Sequence, residues 1–515
     1  MVDIRFGDVP SNLVFSQVWR PVLSRRTVGS GRMIRTMPIP SSATPLVRHW
    51  LCTVLLVAGV TLRAVTWLAY QPALIYTDSY SYLYNVQPLN PQYLQPIGYP
   101  LFVLKPLLPL GGLALVSAVQ HVAGIGMALL LYRVALRCGV RPWLAALATA
   151  PVLLDAYQLQ IEQNILSDVW LQVLLVVLLW LLVGRAKLPG PRLAALVGLA
   201  VGLAMTIRIV AIVLIVPVAL YLLITGRQWR VPGGWRRIAV RLGALVGVFA
   251  LIVVGYAGYF DLKAGYWGLN TASGNSIYGR TAEVADCSKL NLDSVLAQLC
   301  PKEPLGQRLG TNYYAHADVL IPNWPGYVPP GETAYDLDRQ FATRVIEKQP
   351  FDVLTAILTD FGKGFLPAHF VLSGDPQNSL WQFQPYFPVY TQDPSDTTTN
   401  PFTQENDLAV QFGGRGLSLN AGLARFLSDY QRHGYTPGTV LGVFALIGLV
   451  AGFTGRGRRS GLAGATLFTT AVGLSVLGLA AVFEFSWRYQ LPGLVVFPLA
   501  AALGITALTH RRAAD

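Results

Sequence analysis

Long apolar stretches recur along this chain and constrain its fold more than any other feature. A helix needs roughly 20 apolar residues to cross the hydrocarbon core of a bilayer. With a mean hydropathy of +0.46 and only 13% charged residues, the chain is too apolar for a soluble domain of its length. We predict an all-α polytopic membrane protein with about ten spans, near 49–70, 112–132, 142–154, 166–184, 191–207, 209–226, 238–258, 437–454, 461–483 and 491–509.

Arginine and lysine collect in alternate loops, as the positive-inside rule requires of cytoplasmic loops. The basic segments are 20–48, 133–141, 185–192, 227–241, 456–459 and 511–512. Both termini are therefore predicted to be cytoplasmic in a plasma-membrane protein. The loops 71–111, 155–165, 207–208, 259–436 and 484–490 then face outward. Because the net charge of +13 follows mostly from this topology, it does not indicate nucleic-acid binding.

The chain divides into four predicted regions. A basic cytosolic tail covers 1–45 and lacks the apolar core of a signal peptide. A membrane module over 46–258 and a second one over 437–515 flank an outer segment over 259–436. That segment is either an extracytoplasmic subdomain or a set of helices on the membrane surface.

Three features are predicted within the outer segment. Apolar residues recur at helical spacing on either side of Pro350, over 335–365, which predicts two helices. The Thr-, Asp- and Pro-rich stretch 390–408 is typical of a flexible loop. Cys287 and Cys300 lie close together in the sequence and are expected to form a disulfide in an oxidising compartment.

The first outer loop places an acid at the membrane boundary. Asp78 follows the first span within the sequence IYTDSYSYLYN, flanked by Tyr76, Tyr80 and Tyr82. A carboxylate at membrane depth is costly unless it has a function, and this one is suited to accept a proton from a sugar hydroxyl. The tyrosines equally fit an interfacial aromatic belt that anchors the protein.

The second outer loop adds further acids. Glu162 and Asp168 precede or begin the fourth span, and carboxylates from two loops are able to hold a divalent cation such as Mg, Mn or Ca. Asp168 also stands at a helix N-terminus, where it would interact favourably with free N–H groups. Asp155 is interpreted as a solvated loop residue.

Two arginines break the positive-inside rule. Arg208 lies at the outer hairpin between spans five and six, and Arg488 at the one between spans nine and ten. A guanidinium fork suits a phosphate, here that of a lipid carrier. The alternatives are snorkelling or an ion pair, for Arg488 with Glu484. Lesser candidates are Arg63 and Lys105, while His121 is interpreted as a satisfied interior histidine.

Taken in order, several of these motifs resemble the GT-C superfamily of membrane glycosyltransferases. They are YTDSYSYL, PIGYPLF, VQHVAGIGMALLLYRVALRCG, IEQNILSDVWLQVLL, GLAMTIR and WRYQLPGLVVFPLA. The chain is similar to the group of protein mannosyltransferases, lipid A aminoarabinose transferases and actinobacterial arabinosyltransferases. The resemblance covers most of the first seven spans and is loose after residue 259.

The resemblance implies an extracytoplasmic site that uses a polyprenyl-phosphate sugar as donor, with Asp78 as base. The acceptor would be a glycan, a lipid or a protein. Arg208 and Arg488 would bind the donor phosphate, and sugar contacts are expected from Tyr80, Tyr82, Tyr99 and Glu162. Many relatives carry two adjacent acids where this chain has Asp78 and Ser79, so a metal or second-acid role does not transfer directly.

Two other classes fit the sequence. One is a transporter or lipid flippase, although we find no internal repeat of the kind that such proteins often carry. The other is a non-catalytic scaffold whose outer segment binds cell-wall glycans. A transferase predicts that Asp78 and the two arginines share one cavity, whereas burial in mutual ion pairs without a cavity favours transport.

Overall fold

The computed structural model describes residues 45–91, 95–185, 189–224, 230, 232–265, 267–270, 273–371, 375–390 and 400–509. The predicted cytosolic tail, up to residue 44, and the closing arginines 511–512 lie outside these residues.

Each of the ten predicted spans coincides with an apolar helix, which confirms the all-α membrane fold. Five segments are long and apolar enough to cross a bilayer individually, and a bent pair of helices would make a sixth. The remaining four are shorter apolar helices of 10–17 residues. The first membrane module contains α1 (Pro45–Ala69), α2 (Thr77–Tyr84), α3 (Lys105–Arg137), α4 (Pro142–Leu154), α5 (Ala156–Gln163), α6 (Asp168–Leu182), α7 (Pro191–Ile207), α8 (Ile215–Ile224) and α9 (Gly234–Ala264).

Two parts of this module differ from prediction. A π-helical turn at Pro100–Leu104 leads directly into α3, so Lys105 lies on a helix and not in a loop. The predicted loop 155–165 is mostly helix α5, which bends by 50° from α4.

Asp155 explains the bend between α4 and α5. Its backbone is extended and its carboxylate accepts hydrogen bonds from the amides of Tyr157 and Gln158, which caps α5. The other carboxylate oxygen accepts from the amide of Thr436, at 2.6 Å. Asp155 is 4% exposed, so its interpretation as a solvated loop residue was wrong.

The outer segment contains mostly short helices. Those between α9 and the last membrane module are α10 (Ser273–Ala282), α11 (Ser294–Ala297), α12 (Thr311–Ala315), α13 (Ala317–Leu320), α14 (Ala334–Lys348), α15 (Pro350–Lys363), α16 (Pro401–Gly413) and α17 (Ala421–Gln431).

A core of its own holds part of the outer segment together. Tyr278 of α10, Tyr314 of α12 and Phe341 of α14 are among its buried residues. Cys287 and Cys300 form a disulfide beside this core. The two helices predicted around Pro350 are confirmed as α14 and α15. The predicted loop 390–408 was partly wrong because α16 begins at Pro401, capped by the Asn400 side chain; residues 391–399 lie outside the described part.

The last membrane module consists of α18 (Gly438–Phe453), α19 (Gly455–Ser460), α20 (Ala463–Phe483) and α21 (Leu491–Thr509). Of these, α21 is buried over most of its length and packs against α18 and α20. The outer hairpin between α20 and α21 is a 3-10 turn at Trp487–Gln490, which carries Arg488.

Backbone pairing joins the two loops that carry the predicted acids. The Leu74 amide donates to the Gln163 carbonyl, and the Ile165 amide donates to the Leu74 carbonyl, both at 3.0 Å. A short antiparallel pair, β1 (Tyr70–Gln71) with β2 (Ser418–Leu419), ties the first of these loops to the outer segment. The starts of α2 and α6 are thereby held close together.

Candidate functional site

Four charged side chains from distant parts of the chain meet at the outer ends of the predicted spans. Asp78 contacts Arg488 at 2.8 Å, between its Oδ2 and the arginine Nη2. The same guanidinium reaches Asp168, with Nε 3.2 Å from Oδ1. Arg208 binds the other oxygen of Asp168, at 2.7 Å. The two carboxylates and two guanidinium groups therefore alternate in a continuous series of ion pairs, which we call the charge network.

Asp78 is the most accessible member of the network. It lies in the first turn of α2, where the Tyr76 amide donates to the Ser79 hydroxyl and helps to start the helix. Gln95 donates to Asp78 Oδ1 at 3.3 Å, while the side chain stays 26% exposed. Its carboxylate is therefore partly accessible to solvent.

Asp168 is the first residue of α6 and is 7% exposed. Its position at a helix N-terminus agrees with the capping interpretation, but Ser167 makes no side-chain cap. Both carboxylate oxygens instead accept from arginines. Asp168 therefore fixes the spacing of Arg208 and Arg488 as well as standing at the positive end of a helix.

Arg208 follows the last residue of α7 in an extended conformation. The first outer loop packs tightly there, because a β-carbon on Gly98 would lie only 2.5 Å from the Thr206 carbonyl oxygen. The glycine of the PIGYPLF motif thus permits the loop to reach the end of α7.

Aromatic rings surround Arg488, which is 5% exposed. Its guanidinium carbon lies 5.1 Å from the Trp381 ring, 5.6 Å from the Tyr489 ring and 5.9 Å from the Tyr76 ring. Tyr489 also faces Arg208, at 5.5 Å. Such contacts stabilise a guanidinium that has left bulk water.

Arg488 does form ion pairs, the alternative that the sequence left open, but its partners are Asp78 and Asp168 and not Glu484. Glu484 accepts a hydrogen bond from the Tyr489 hydroxyl at 2.8 Å. Because Asp78 and Asp168 already hold Arg488 from the other loops, Glu484 reaches the site only through this tyrosine.

Glu162 lies in a separate, fully buried cluster. Its carboxylate pairs with Arg63 at 2.8 Å and with His121 Nδ1 at 2.9 Å, and Gln158 donates to it at 3.0 Å. A β-carbon on Gly124 would collide with this carboxylate. Arg63 also binds the carbonyl oxygens that end α4, so the cluster supports the α4–α5 bend.

The donor sets do not fit a metal as they stand. Both oxygens of Asp168 and both of Glu162 are engaged by cationic or amide donors. Among the described residues no three His, Cys, Asp or Glu side chains form a cluster that would hold a cation.

Tyr82 and Tyr99, predicted to contact sugar, support the loops from inside. The Tyr82 hydroxyl pairs with Ser167 at 2.7 Å, beside Asp168. The Tyr99 hydroxyl donates to Gln120, whose amide in turn donates to the carbonyls of Glu162 and Asn164. Tyr80, by contrast, is 2% exposed and its hydroxyl has no partner among the described residues.

The sequence did not assign Trp381 and Tyr489 to the site. Tyr489 directly follows Arg488 in the sequence, and this position could have indicated that it belongs to the site. Trp381 lies in the stretch SLWQFQPYFPVY, whose aromatic content pointed to sugar contacts or to internal packing. In the structure it does pack, and its packing partners are Tyr76 and Arg488.

A shallow cleft opens next to the network. Its lining includes the apolar residues Leu477, Ala480 and Phe361 and the polar residues Asp360, Glu484, Ser486, Tyr489 and Gln490. The site is therefore buried in mutual ion pairs, yet a cleft reaches a tyrosine that contacts both arginines.

Comparison with known proteins gives limited further information. No protein-family model matches the chain, and no curated protein matches it either. The chain is similar to the crystal structure of ArnT from Cupriavidus metallidurans bound to undecaprenyl phosphate, at 14% identity over 88% of this chain and 78% of that one. The TM-score is 0.28, a value too low to support a conclusion about fold or function.

Proposed function

We propose that this chain is a membrane glycosyltransferase that moves a sugar from a polyprenyl-phosphate donor to an extracytoplasmic acceptor. The charge network carries the proposal. It brings a partly exposed carboxylate, Asp78, within 2.8 Å of a buried arginine that shares Asp168 with a second arginine. A base beside two phosphate-binding groups is what this reaction needs.

Donor binding would exchange one anion for another at Arg488. A phosphate is a bidentate acceptor for guanidinium groups and competes with a carboxylate for them. When the donor phosphate binds Arg488 and Arg208, Asp78 is released from its ion pair. Asp168 keeps both arginines in place during this exchange.

The cleft between α15 and α20 adjoins the arginines through Tyr489. Leu477, Ala480 and Phe361 give it an apolar lining beside the carboxylates of Asp360 and Glu484. The polyprenyl chain of such a donor would lie along the apolar lining, with its phosphate towards the arginines.

The proposed transfer needs no reactant other than the donor and the acceptor. Asp78 takes the proton of an acceptor hydroxyl as that oxygen attacks the anomeric carbon from the side opposite the leaving group. The bond from the anomeric carbon to the phosphate oxygen breaks, and its electron pair leaves with polyprenyl phosphate. Arg208 and Arg488 stabilise the charge on the leaving phosphate, and the new bond has inverted configuration.

The mutual ion pairs favour a second candidate, a transporter for lipid phosphates. If the protein is a transporter, Arg488 changes its ion-pair partner as the lipid moves, and no covalent bond is formed or broken. The two candidates differ in one observable, because only a transferase moves radioactivity from a labelled polyprenyl-phosphate sugar into a new product.

Asp78→Asn tests the proposal. Loss of a general base typically costs 10²–10⁴-fold, so the variant should keep at most roughly a hundredth of the transfer rate. The matched control is Asp429→Asn, which removes a carboxylate from a solvent-exposed ion pair and should stay within about twofold of wild type. Normal turnover by Asp78→Asn would disprove the role of the base, and lipid movement without product would favour transport.

A further inference from the structure

Three buried polar atoms of the first outer loop and the outer segment have no hydrogen-bond partner among the described residues. They are the Trp381 indole Nε1, the Tyr80 hydroxyl and Glu405 Oε2. The three residues are 3%, 2% and 0% exposed. A buried polar atom without a partner destabilises the fold, so three together require an explanation.

All three atoms belong to residues grouped around Tyr76. The Trp381 ring centroid lies 4.6 Å from that of Tyr76, and the Tyr390 ring lies 5.2 Å away on a perpendicular plane. Tyr80 lies on α2, four residues after Tyr76, and its hydroxyl is close enough to Glu405 for that carboxyl to affect its pKa. Glu405 accepts from the Tyr390 amide at 2.6 Å through its other oxygen.

Glu405 is suited to act as a neutral donor. Burial raises its pKa to about 8, so the carboxyl is mostly protonated at neutral pH. Burial, and secondarily the Glu405 carboxyl, raise the pKa of the Tyr80 hydroxyl. The group thus offers an indole N–H, a hydroxyl and a carboxylic acid, and no permanent charge.

Aromatic faces combined with neutral donors and acceptors are suited to a sugar ring. The C–H faces of a sugar pack on aromatic rings, and its hydroxyls need a few precisely placed hydrogen-bond partners. Because these donors and acceptors carry no permanent charge, a neutral ligand suits them better than an ion.

We propose that Tyr76, Trp381 and Tyr390 form the wall of a subsite for the sugar unit of the donor, with its hydroxyls bound by Trp381 Nε1, Tyr80 and Glu405. This inference rests on the proposed transferase function. It places the neutral sugar next to Arg488, which is where a phosphate bonded to its anomeric carbon would be held.

The outer segment must open for the sugar to enter. Residues 378–390 run over the site and are fastened at several points. The Tyr157 hydroxyl accepts from Asn378 at 3.1 Å, and the Gln431 side chain bonds the backbone of both Trp381 and Phe383, at 3.0 and 2.6 Å. Entry of a sugar therefore requires some of these hydrogen bonds to break.

Binding to two probes tests the subsite without requiring turnover. The probes are polyprenyl phosphate and the same lipid phosphate carrying mannose or arabinose, with affinities measured by native mass spectrometry. We expect the wild type to prefer a sugar-bearing lipid. Trp381→Phe keeps the ring against Arg488 but removes the N–H, so it should bind that lipid about five- to tenfold more weakly. Its affinity for polyprenyl phosphate should stay within about twofold.

A second variant and a control make the outcomes decisive. Tyr80→Phe removes a different partner and should cause a similar selective loss, even where Trp381→Phe folds poorly. Trp324→Phe, the same change in the separate core of the outer segment, should leave both affinities unchanged. If the wild type prefers the sugar-bearing lipid but both variants keep that preference, or if the wild type binds both lipids equally, the subsite is wrong. If it binds neither lipid, the transferase proposal fails.

Discussion

At the scale of single residues, the members of the charge network differ in how much the fold depends on them. Asp168 is buried and binds two arginines, whereas Asp78 is a quarter exposed and binds one. Removing one partner of a buried ion pair typically costs roughly 3–5 kcal/mol, because the other charge stays buried without compensation. A partly exposed pair is worth about 0–1 kcal/mol.

We therefore predict that Asp168→Asn loses both transfer activity and thermal stability, while Asp78→Asn loses activity alone. The measurement is the unfolding temperature of the purified variants in one detergent, followed by tryptophan fluorescence. Equal unfolding temperatures for Asp168→Asn and wild type would mean that Asp168 does not hold the two arginines.

The sequence identified these residues by their position in loops predicted to face outward, but it did not show which of them form ion pairs with each other. A charge that breaks the positive-inside rule is visible in the sequence, and this singled out Arg208 and Arg488. Ion pairing between residues about 320 positions apart, such as Asp168 with Arg488, depends on tertiary packing. The sequence therefore supplied the members of the network without their partners, and Trp381 was found only through its packing.

At the scale of elements, apolar length predicted the helices and polar caps decided their ends. The bend between α4 and α5 arises because Asp155 caps α5, and the early start of α16 because Asn400 caps it. Both residues were read as parts of loops, since a cap and a loop have the same composition. The predicted helices on either side of Pro350 were correct because the proline fits the first turn of α15.

Helix α14 gives a prediction on pH. Burial, with the Asp318 carboxylate as a second cause, raises the pKa of Asp338 to about 7. Between about 3.9, the ordinary value, and about 7, the folded protein holds a proton that the unfolded chain releases. Stability should therefore fall as the pH rises through this window, by at most about 4 kcal/mol at 1.36 kcal/mol per pKa unit.

Asp338→Asn should remove this dependence, so that the variant unfolds at a higher temperature than wild type at pH 8 but not at pH 4. Glu347→Gln, on the exposed side of the same helix, is the control and should leave the slope unchanged. A variant that retains the wild-type pH profile would show that Asp338 is ionised in the folded protein.

At the scale of the whole molecule, the loops predicted to face outward all contribute to one region. Asp78, Arg208 and Arg488 come from three of those loops, and Asp168 begins the span that follows a fourth. Trp381, which contacts Arg488, belongs to the fifth. Near the other end of α6, Arg137 of the predicted cytoplasmic segment 133–141 donates to the Trp180 carbonyl at 2.8 Å. The charge pattern predicts that this end of the helices faces the cytoplasm.

Cysteine labelling tests which side faces the cytoplasm. Lys348→Cys, exposed at the end of α14, should react with a membrane-impermeant maleimide in intact cells. Arg456→Cys, exposed on α19, should react only after the cells are permeabilised. Of the native cysteines, Cys287 and Cys300 form a disulfide, Cys52 is buried and Cys138 is half-buried. Labelling of the wild type therefore measures the background reaction with maleimide. The reverse pattern would place Asp78 in the cytoplasm, where an extracytoplasmic acceptor cannot reach it, and the proposed reaction would then be excluded.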